Sequence, residues 1–346
     1  MRRIAVEPLI MFCETLLTAS GLEARHAACF ARKLIDGDLL GHGSHGVRLL
    51  PRYLDEIQSG HMTRVGDPVI LADSGGTLLF DGRMLPGPVV ITHAIEAMLG
   101  RLATHGSVIG VIRQSTHVAA LCSYLEMATE QRAVALIAAS NPWARLVAPF
   151  GGRRPVYSPN PIACGIPTPG DPILIDFSTA SIAANVVEQY YQRGEMLPGP
   201  YLIDTDGQAT CDPSALRGSS PGAILPLGGL DLGHKGFGLG LIIEALTAGL
   251  SGFGRSDSPP STNNSVFIMI VDPKALGGGS FFEREMAHLV AACRDAAGPG
   301  DRVMLPGERA LAHRRRALSD GLGLHDALLA DLDRRAGALG VGALVP

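Results

Sequence analysis

The sequence predicts an α/β protein with helices at both ends of the chain and a mixed sheet between them. Apolar residues recur at helical spacing in residues 6–17 and again in residues 326–339. In the middle of the chain, short β-type runs alternate with helical stretches, as in a sheet covered by helices. We therefore expect a helical domain made of residues 1–72 together with 281–346, and a mixed α/β domain made of residues 73–280.

The predicted elements are separated by clear turn signals. A second helix follows the first and runs to Leu39, where a polar turn begins. Helical spacing returns after Phe281 and continues through residues 308–318. The middle of the chain predicts strands at residues 69–71, 77–80, 107–112, 133–139, 173–177 and 266–271, and helices at residues 89–102, after Val118 and at residues 236–250.

Charge and apolar content exclude two classes of partner. Lysine and arginine number 29 and aspartate and glutamate 33, a formal net charge of −4 without a basic patch, so no nucleic acid is expected. The N-terminal apolar run contains Glu7 and Glu14 and predicts a helix rather than a signal peptide. The apolar run at residues 239–250 contains Glu244 and is too short to span a membrane. We expect no membrane partner.

Cysteines and histidines give no metal signature. The six cysteines form no Cys-x-x-Cys pair, so they predict neither a zinc ribbon nor a disulfide framework and fit a reducing cytoplasm. His42, His45 and His117 are not accompanied by a His-Glu-x-x-His helix or a carboxylate cluster. We therefore expect no bound metal.

The polar turn at residues 41–53 carries the clearest chemical signal. Histidine exchanges protons near neutral pH, and the hydroxyl of Ser44 can orient or relay the proton of His45. The guanidinium of Arg48 can grip a carboxylate with two hydrogen bonds. The turn therefore predicts proton transfer to a bound carboxylic acid. The alternative is a helix-ending turn whose polar groups are only solvated.

Two other motifs point away from common nucleotide and hydrolase folds. The glycines of residues 236–240 lack the full G-x-G-x-x-G spacing and follow a predicted loop at residues 226–234, so a Rossmann unit is not expected. The start of the helix after that loop, with Lys235, is either a phosphate site or a place of close helix packing. His42 replaces the first glycine of a nucleophile elbow, which argues against acyl-serine catalysis.

Taken in order, these segments resemble the malate/L-lactate dehydrogenase family, whose fold is not of the Rossmann type. The resemblance covers almost the whole chain and is nearest to the Δ1-piperideine-2-carboxylate/Δ1-pyrroline-2-carboxylate reductase branch. The motifs that carry it are residues 41–53, 117–121, 149–152, 160–161, 176–181, 204–213, 233–239, 272–273 and 306–309.

The resemblance implies a homodimeric NAD(P)-dependent oxidoreductase with its cofactor in the mixed-sheet domain. His45 would be the proton donor and Ser44 its relay partner, and Arg48 would hold the substrate carboxylate. Tyr53, Pro159 and Asn160 would complete the substrate site. The residues implied for cofactor binding are His117, Val118, Ala119, Ala120, Leu121, Asp176, Phe177, Ser178, His234, Lys235, Leu305, Pro306, Gly307, Glu308 and Arg309.

Two departures from the family pattern affect the expected chemistry. Val186 stands where the imine reductases have a relay aspartate, and Ser158-Pro159 replaces the usual Gly-Thr before Asn160. The expected function is reduction of a cyclic 2-imino acid by NADPH or NADH, with NADPH favoured. The alternatives are a 2-hydroxyacid dehydrogenase of the malate, L-lactate, ureidoglycolate or sulfolactate type, and an inactive ligand-binding homologue.

Overall fold

The computed structural model describes residues 1–219, 221–259 and 263–344. The N-terminal region is helical, as its apolar spacing predicts. It contains β1 (Arg2–Ile4), α1 (Val6–Ala19), α2 (Ala24–Leu39) and α3 (Leu50–Gln58).

The middle of the chain holds most of the strands. Its elements are β2 (Val69–Asp73), β3 (Thr77–Asp81), α4 (Gly87–His105), β4 (Ser107–Ser115), α5 (Glu126–Thr129), β5 (Val134–Ser140), β6 (Pro161–Ile166), β7 (Ile173–Ser178), α6 (Ala184–Arg193), β8 (Leu202–Ile203), β9 (Ala209–Thr210), β10 (Ala223–Ile224), α7 (Gly229–Glu244) and β11 (Asn264–Val271). The C-terminal elements are α8 (Gly279–Asp295), α9 (Glu308–Asp320), β12 (Leu322–Leu324) and α10 (Asp326–Ala338).

A seven-stranded mixed sheet organises the middle of the chain, in the order β2-β3-β4-β11-β5-β6-β7. Only β3 and β4 pair in parallel, whereas a Rossmann sheet is mostly parallel. Strand β11 lies in the centre, where Val266, Ile268 and Ile270 are fully buried. The α/β fold class with a sheet that is not of the Rossmann type is therefore confirmed.

The two ends of the chain pack on one another. Strand β1 pairs antiparallel with β12, so the first and last segments meet in a two-stranded sheet. One apolar core joins Leu16 and Leu34 from the N-terminal helices to Leu332 of α10. Strand β2 extends across residue 72 and pairs with β3 in the large sheet. The domain limits at residues 72 and 281 stay a prediction.

Two predicted helices differ from the structure. Helix α7 begins at Gly229 rather than Gly236, so the predicted loop at residues 226–234 is largely helical. Gly236 is needed for packing, because a Cβ there would lie 2.5 Å from the backbone nitrogen of Leu227. The helix expected after Val118 is only a short 3-10 turn followed by α5, because Ala119 has a φ of +55° and Ala120 is extended, and neither conformation continues a helix.

No helix in the described part of the chain combines the length and apolar character that a membrane span needs.

Candidate active site

The polar turn connects the end of α2 to the start of α3. Its backbone is held by hydrogen bonds from His42 N to the Gly37 carbonyl and from His45 N to the His42 carbonyl, each 2.8 Å long. Gly41 reverses the chain with a φ of +82°, a conformation that glycine adopts without strain. The turn therefore holds Ser44 and His45 at a defined place beside α2.

The buried carboxylate of Asp38 holds this turn in place. Asp38, in the last turn of α2, accepts a hydrogen bond from Val47 N (2.7 Å) and is 9% exposed. Burial raises the pKa of Asp38 to about 7, and the bond from Val47 offsets part of that rise. Gly46 lies directly over the carboxyl group, because a Cβ at this position would be 2.2 Å from it.

Ser44 and His45 form the pair that the sequence predicts. The Ser44 Oγ lies 2.8 Å from His45 Nδ1, and both side chains are half-buried. Burial lowers the pKa of His45, the charge of Asp176 opposes this effect, and His42 adds to it. His45 is therefore mainly a neutral imidazole near pH 7, and it can accept or return a proton.

Arg48 is available for an anion. It lies three residues beyond His45 in the short 3-10 turn of residues 47–49, its side chain is exposed, and it makes no ion pair with a carboxylate in the described ranges. Arg52 on the same segment differs, because its Nε is 2.8 Å from Glu56 Oε1. A free guanidinium near a histidine is suited to hold a carboxylate substrate.

A second histidine lies against the first. The rings of His45 and His117 are stacked, with centroids 5.8 Å apart and planes inclined by 16°. The Tyr53 hydroxyl is 2.6 Å from His117 Nδ1, and the Tyr53 side chain is fully buried. Any effect of Tyr53 on a substrate would therefore pass through His117, and its predicted substrate contact stays a prediction.

The four residues after His117 are buried in the protein interior. Val118, Ala119, Ala120 and Leu121 are each at most 5% exposed. A cofactor could reach this segment only through its backbone groups, and its predicted role in cofactor binding stays untested.

His42, Cys122 and Asp176 form a polar cluster beside the turn. Their ligand atoms all lie within 4.8 Å of one another, and Asp176 Oδ2 accepts a hydrogen bond from Cys122 N (2.9 Å). Burial, together with the charge of Asp176, raises the pKa of the Cys122 thiol. Without a metal the thiol is therefore a neutral partner of the carboxylate, and a metal bound to this cluster would deprotonate it.

The start of α6 contacts the polar turn through an amide side chain rather than through a carboxylate. Asn185 Nδ2 donates to the Ser44 carbonyl (3.3 Å), while the neighbouring Val186 is aliphatic and half-buried. The relay aspartate expected from the family pattern is thus absent at this position. The hydroxyl of Ser44 is the group that contacts His45 Nδ1.

Asn160 is part of a buried network. Its Nδ2 donates to the Gly240 carbonyl (3.1 Å) and to Glu244 Oε1 (3.0 Å), and Glu244 also pairs with Arg255 (2.6 Å). Ser158 Oγ accepts a hydrogen bond from the backbone of Asn141 (2.9 Å). The side chain of Asn160 is thus committed to holding strand β6 against α7.

The residue before Asn160 also forms hydrogen bonds within the protein. The Pro159 carbonyl accepts hydrogen bonds from Ser178 Oγ (3.1 Å) and Thr179 N (3.0 Å), whereas Phe177 is 41% exposed. The substrate roles of Pro159 and Asn160 and the cofactor roles of Phe177 and Ser178 stay predictions.

His234 and Lys235 are exposed on the second turn of α7, and the His234 ring lies 5.6 Å from the Phe150 ring. Since α7 begins at Gly229, Lys235 does not stand at the helix start, contrary to the sequence-based interpretation. Their cofactor contacts stay predicted.

The remaining predicted cofactor segment borders a cleft of about 530 Å³ at the start of β7. Leu305, Pro306 and Glu308 line it, and the Pro306 carbonyl accepts a hydrogen bond from Leu174 N (3.2 Å). Gly307 has a φ of +94° and immediately precedes α9, while Arg309 is exposed in the first turn. Three arginines border the cleft, and each is ion-paired: Arg294 and Arg302 with Glu308, and Arg315 with Asp171.

Sequence reasoning assigned no role to several residues that shape the site. Asp38 carries a recognisable signal, because a carboxylate on the buried side of an amphipathic helix needs a specific partner. Asn185 and the Glu244–Arg255 pair carry none, since their partners are distant in sequence and meet only in the folded chain.

Comparison with known proteins identifies the class. The family model for malate/L-lactate dehydrogenase matches residues 4–333, so the chain belongs to this family of NAD(P)-dependent oxidoreductases. The L-lactate dehydrogenase of Cupriavidus necator is 32% identical, over 98% of both chains. The Δ1-pyrroline-2-carboxylate/Δ1-piperideine-2-carboxylate reductase of Pseudomonas syringae pv. tomato is 30% identical, over 96% of both.

A solved structure gives the same picture. The Δ1-piperideine-2-carboxylate reductase from P. syringae pv. tomato superposes with a TM-score of 0.86 at 29% identity, covering 97% of this chain and all of that one. The predicted family and fold are therefore confirmed.

Proposed function

We propose that this protein reduces a cyclic 2-imino acid, of the Δ1-piperideine-2-carboxylate or Δ1-pyrroline-2-carboxylate type, with hydride from NAD(P)H. One observation carries the proposal: the hydrogen-bonded Ser44–His45 pair shares a turn with an exposed Arg48 that has no acidic partner in the described ranges. A proton-exchanging group and a carboxylate clamp are thus held together on one rigid segment.

The protonation state of His45 favours an imine over an oxo acid as the substrate. When bound, the cofactor supplies a hydride, which carries two electrons to the substrate carbon. An imine first takes up a proton, which His45 can supply, and the protonated imine then becomes a neutral amine when it accepts the hydride; an oxo group instead becomes an alkoxide, which needs a proton from the enzyme during the hydride step. His45 has a lowered pKa and no carboxylate at Val186 to support a charged ring, so it is better suited to the first reaction.

A 2-hydroxyacid dehydrogenase is the second candidate. It is favoured by the 32% identity to the L-lactate dehydrogenase of C. necator. A neutral His45 could accept the proton of a substrate hydroxyl in the oxidative direction, and Arg48 would hold the same carboxylate.

The cleft beside β7 is the proposed place for the adenine end of the cofactor. Its lining includes the apolar side chains Val290 and Ala312 and the arginines at positions 294, 302 and 315. Arg294 and Arg302 pair with Glu308, and Arg315 pairs with Asp171, so a phosphate bound there would compete with these carboxylates. Asp176, close to His42, and Ile173, at the cleft, are about 10 Å apart along one strand but on opposite faces of the sheet, so a dinucleotide that reaches both would pass around the end of the strand. We propose NADPH over NADH on the family resemblance.

Purified protein should be tested with NADPH and NADH against Δ1-piperideine-2-carboxylate, Δ1-pyrroline-2-carboxylate, pyruvate and oxaloacetate, and with NAD⁺ and NADP⁺ against ureidoglycolate. We expect the highest kcat/KM with a cyclic imine. Turnover of the open-chain acids alone would favour the hydroxyacid dehydrogenase, and turnover of none, with retained cofactor binding, would favour an inactive homologue.

A homodimer is the proposed assembly. Helix α7 exposes Leu230, Leu241 and Ile242, each by more than half of its surface. The first two are eleven residues apart, or about three turns, and so lie on one side of the helix. A second copy could cover this apolar surface.

The proposed location is the cytoplasm. All six cysteines are free in the structure, and a reducing compartment keeps thiols in this state.

A further inference from the structure

Contacts with neighbouring residues fix the position of the His117 ring and decide which of its two nitrogens carries a proton. Its backbone carbonyl is wedged against α4, since a Cβ on Gly87 would lie 2.4 Å from that oxygen. Ala119 then adopts a φ of +55°, a costly conformation for alanine, and its backbone N–H points at His117 Nδ1 (3.3 Å). The ring cannot turn without breaking these contacts.

The Ala119 contact decides which nitrogen of His117 carries the proton. A backbone N–H can only donate; that of Ala119 contacts both the Tyr53 hydroxyl and His117 Nδ1, and its contact with Nδ1 is favourable only if that nitrogen is an acceptor. The Tyr53 hydroxyl, 2.6 Å from the same nitrogen, then donates to it as well. The proton of the neutral ring must be on Nε2.

The surroundings keep both partners neutral. Tyr53 is fully buried, and burial raises the pKa of its hydroxyl, so it remains a donor. Burial also lowers the pKa of His117 well below its ordinary value, and the nearby His45 lowers it further. The charges of His45 and Arg52 both act against a protonated His117 ring.

The Nε2 edge of His117 is open toward the site. The side chain is partly exposed, and in the described part of the chain no group bonds to Nε2. The ring is nearly parallel to that of His45, so the two histidines lie against each other at the site.

We propose that Tyr53 is a positioning residue that locks His117 as the neutral Nε2–H tautomer, so that His117 offers a permanent hydrogen-bond donor to an oxygen of the bound ligand. His45 then exchanges the proton, and His117 does not titrate. The tautomer is independent of the proposed function, but the use of the N–H by substrate or cofactor rests on it.

The tautomer can be measured without activity. Long-range ¹H–¹⁵N spectra of ¹⁵N-histidine-labelled protein should show a bare Nδ1 and a protonated Nε2 for His117 from pH 5 to 8, with the signals assigned through their loss in His117→Gln. In Tyr53→Phe, a mixture of tautomers should appear. Tyr124→Phe is the matched control, because Tyr124 is equally buried but donates to the Val118 carbonyl, and it should leave the signals unchanged.

Kinetics then test the donor. Glutamine keeps an N–H near the Nε2 position and phenylalanine does not, so the KM of His117→Phe should be about tenfold higher than that of His117→Gln, as loss of one hydrogen bond predicts. A rise in the KM for the acid or for NAD(P)H identifies the oxygen that is bound.

Two results would overturn the proposal. One is a protonated Nδ1 in the wild-type protein, which needs no variant to fold. The other is an equal loss in His117→Gln and His117→Phe. A protein that turns over none of the tested substrates but shows the fixed Nε2–H tautomer would refute the proposed function and leave the role of Tyr53 standing.

Discussion

At the scale of single residues, the site separates proton exchange from anion binding. His45 is half-buried, contacts Ser44 and has a lowered pKa, whereas Arg48 is exposed and has no described acidic partner. Because of these environments, we expect substitution of His45 to change kcat and substitution of Arg48 to change the KM for the acid substrate.

His45→Ala should keep the fold and NAD(P)H binding and lose at least about a hundredfold in kcat, the usual lower range for a positioned acid–base group. Ser44→Ala should also slow turnover, because Ser44 is the group that contacts His45 Nδ1. Steady-state kinetics with cofactor titration provide the check. A wild-type rate in His45→Ala, combined with a collapse in His117→Ala, would move the proton-exchanging role to His117.

Arg48→Lys should raise the KM for the acid substrate at least about tenfold, because an ammonium cannot reproduce the two-pronged guanidinium contact. The KM for the cofactor should change little. Arg52→Lys is the matched control, since Arg52 pairs with Glu56 on the same segment. An unchanged KM in Arg48→Lys for every carboxylate substrate would show that Arg48 does not bind the substrate.

At the scale of elements, the catalytic turn depends on its contact with α2. Asp38 and Gly46 lie so close together that the glycine is required by packing rather than by its backbone angles. Two stability measurements test this arrangement.

Gly46→Ala should lower the free energy of unfolding by about 1–3 kcal/mol, the usual cost of overpacking, because its Cβ would lie 2.2 Å from the Asp38 carboxyl group. Gly43→Ala should cost less, since its Cβ would be at an ordinary contact distance of 3.5 Å from the same group. Urea denaturation compares the two variants. Equal losses would mean that Asp38 does not lie under Gly46.

Asp38→Asn tests the raised pKa. The folded pKa of about 7 exceeds the unfolded value, so the folded state binds the extra proton. The stability from this group is full below about pH 4 and is lost as the pH rises to about 7, by about 4 kcal/mol at most. Asparagine does not titrate, so the stability of Asp38→Asn relative to wild type should increase between pH 5 and 8. A difference independent of pH would place the Asp38 pKa near its ordinary value.

At the scale of the whole molecule, the apolar surface of α7 is the feature that a single chain leaves uncovered. Ile242→Glu should convert the proposed homodimer to a monomer, because a charge in a buried apolar interface is costly. Leu276→Glu is the control, since Leu276 is 78% exposed on a different segment. Sedimentation velocity measures the state, and a wild-type protein that is monomeric at micromolar concentration would refute the homodimer.

The sequence by itself determined the fold class and the chemistry of the turn. The helical spacing near Val6, the β-type runs near Val69 and the crowding of Ser44 with His45 are local signals, and the folded chain keeps them as secondary structure and as one hydrogen bond.

The tertiary structure decided what these groups contact. The family resemblance implied Tyr53 for the substrate site, which stays a prediction, and only the fold shows that its hydroxyl contacts His117, 64 residues away. Helix α7 likewise begins at Gly229, seven residues before the start that its local sequence predicts, and Gly236 inside it packs against Leu227. Contacts between distant segments depend on how the whole chain packs, and local spacing carries no information on them.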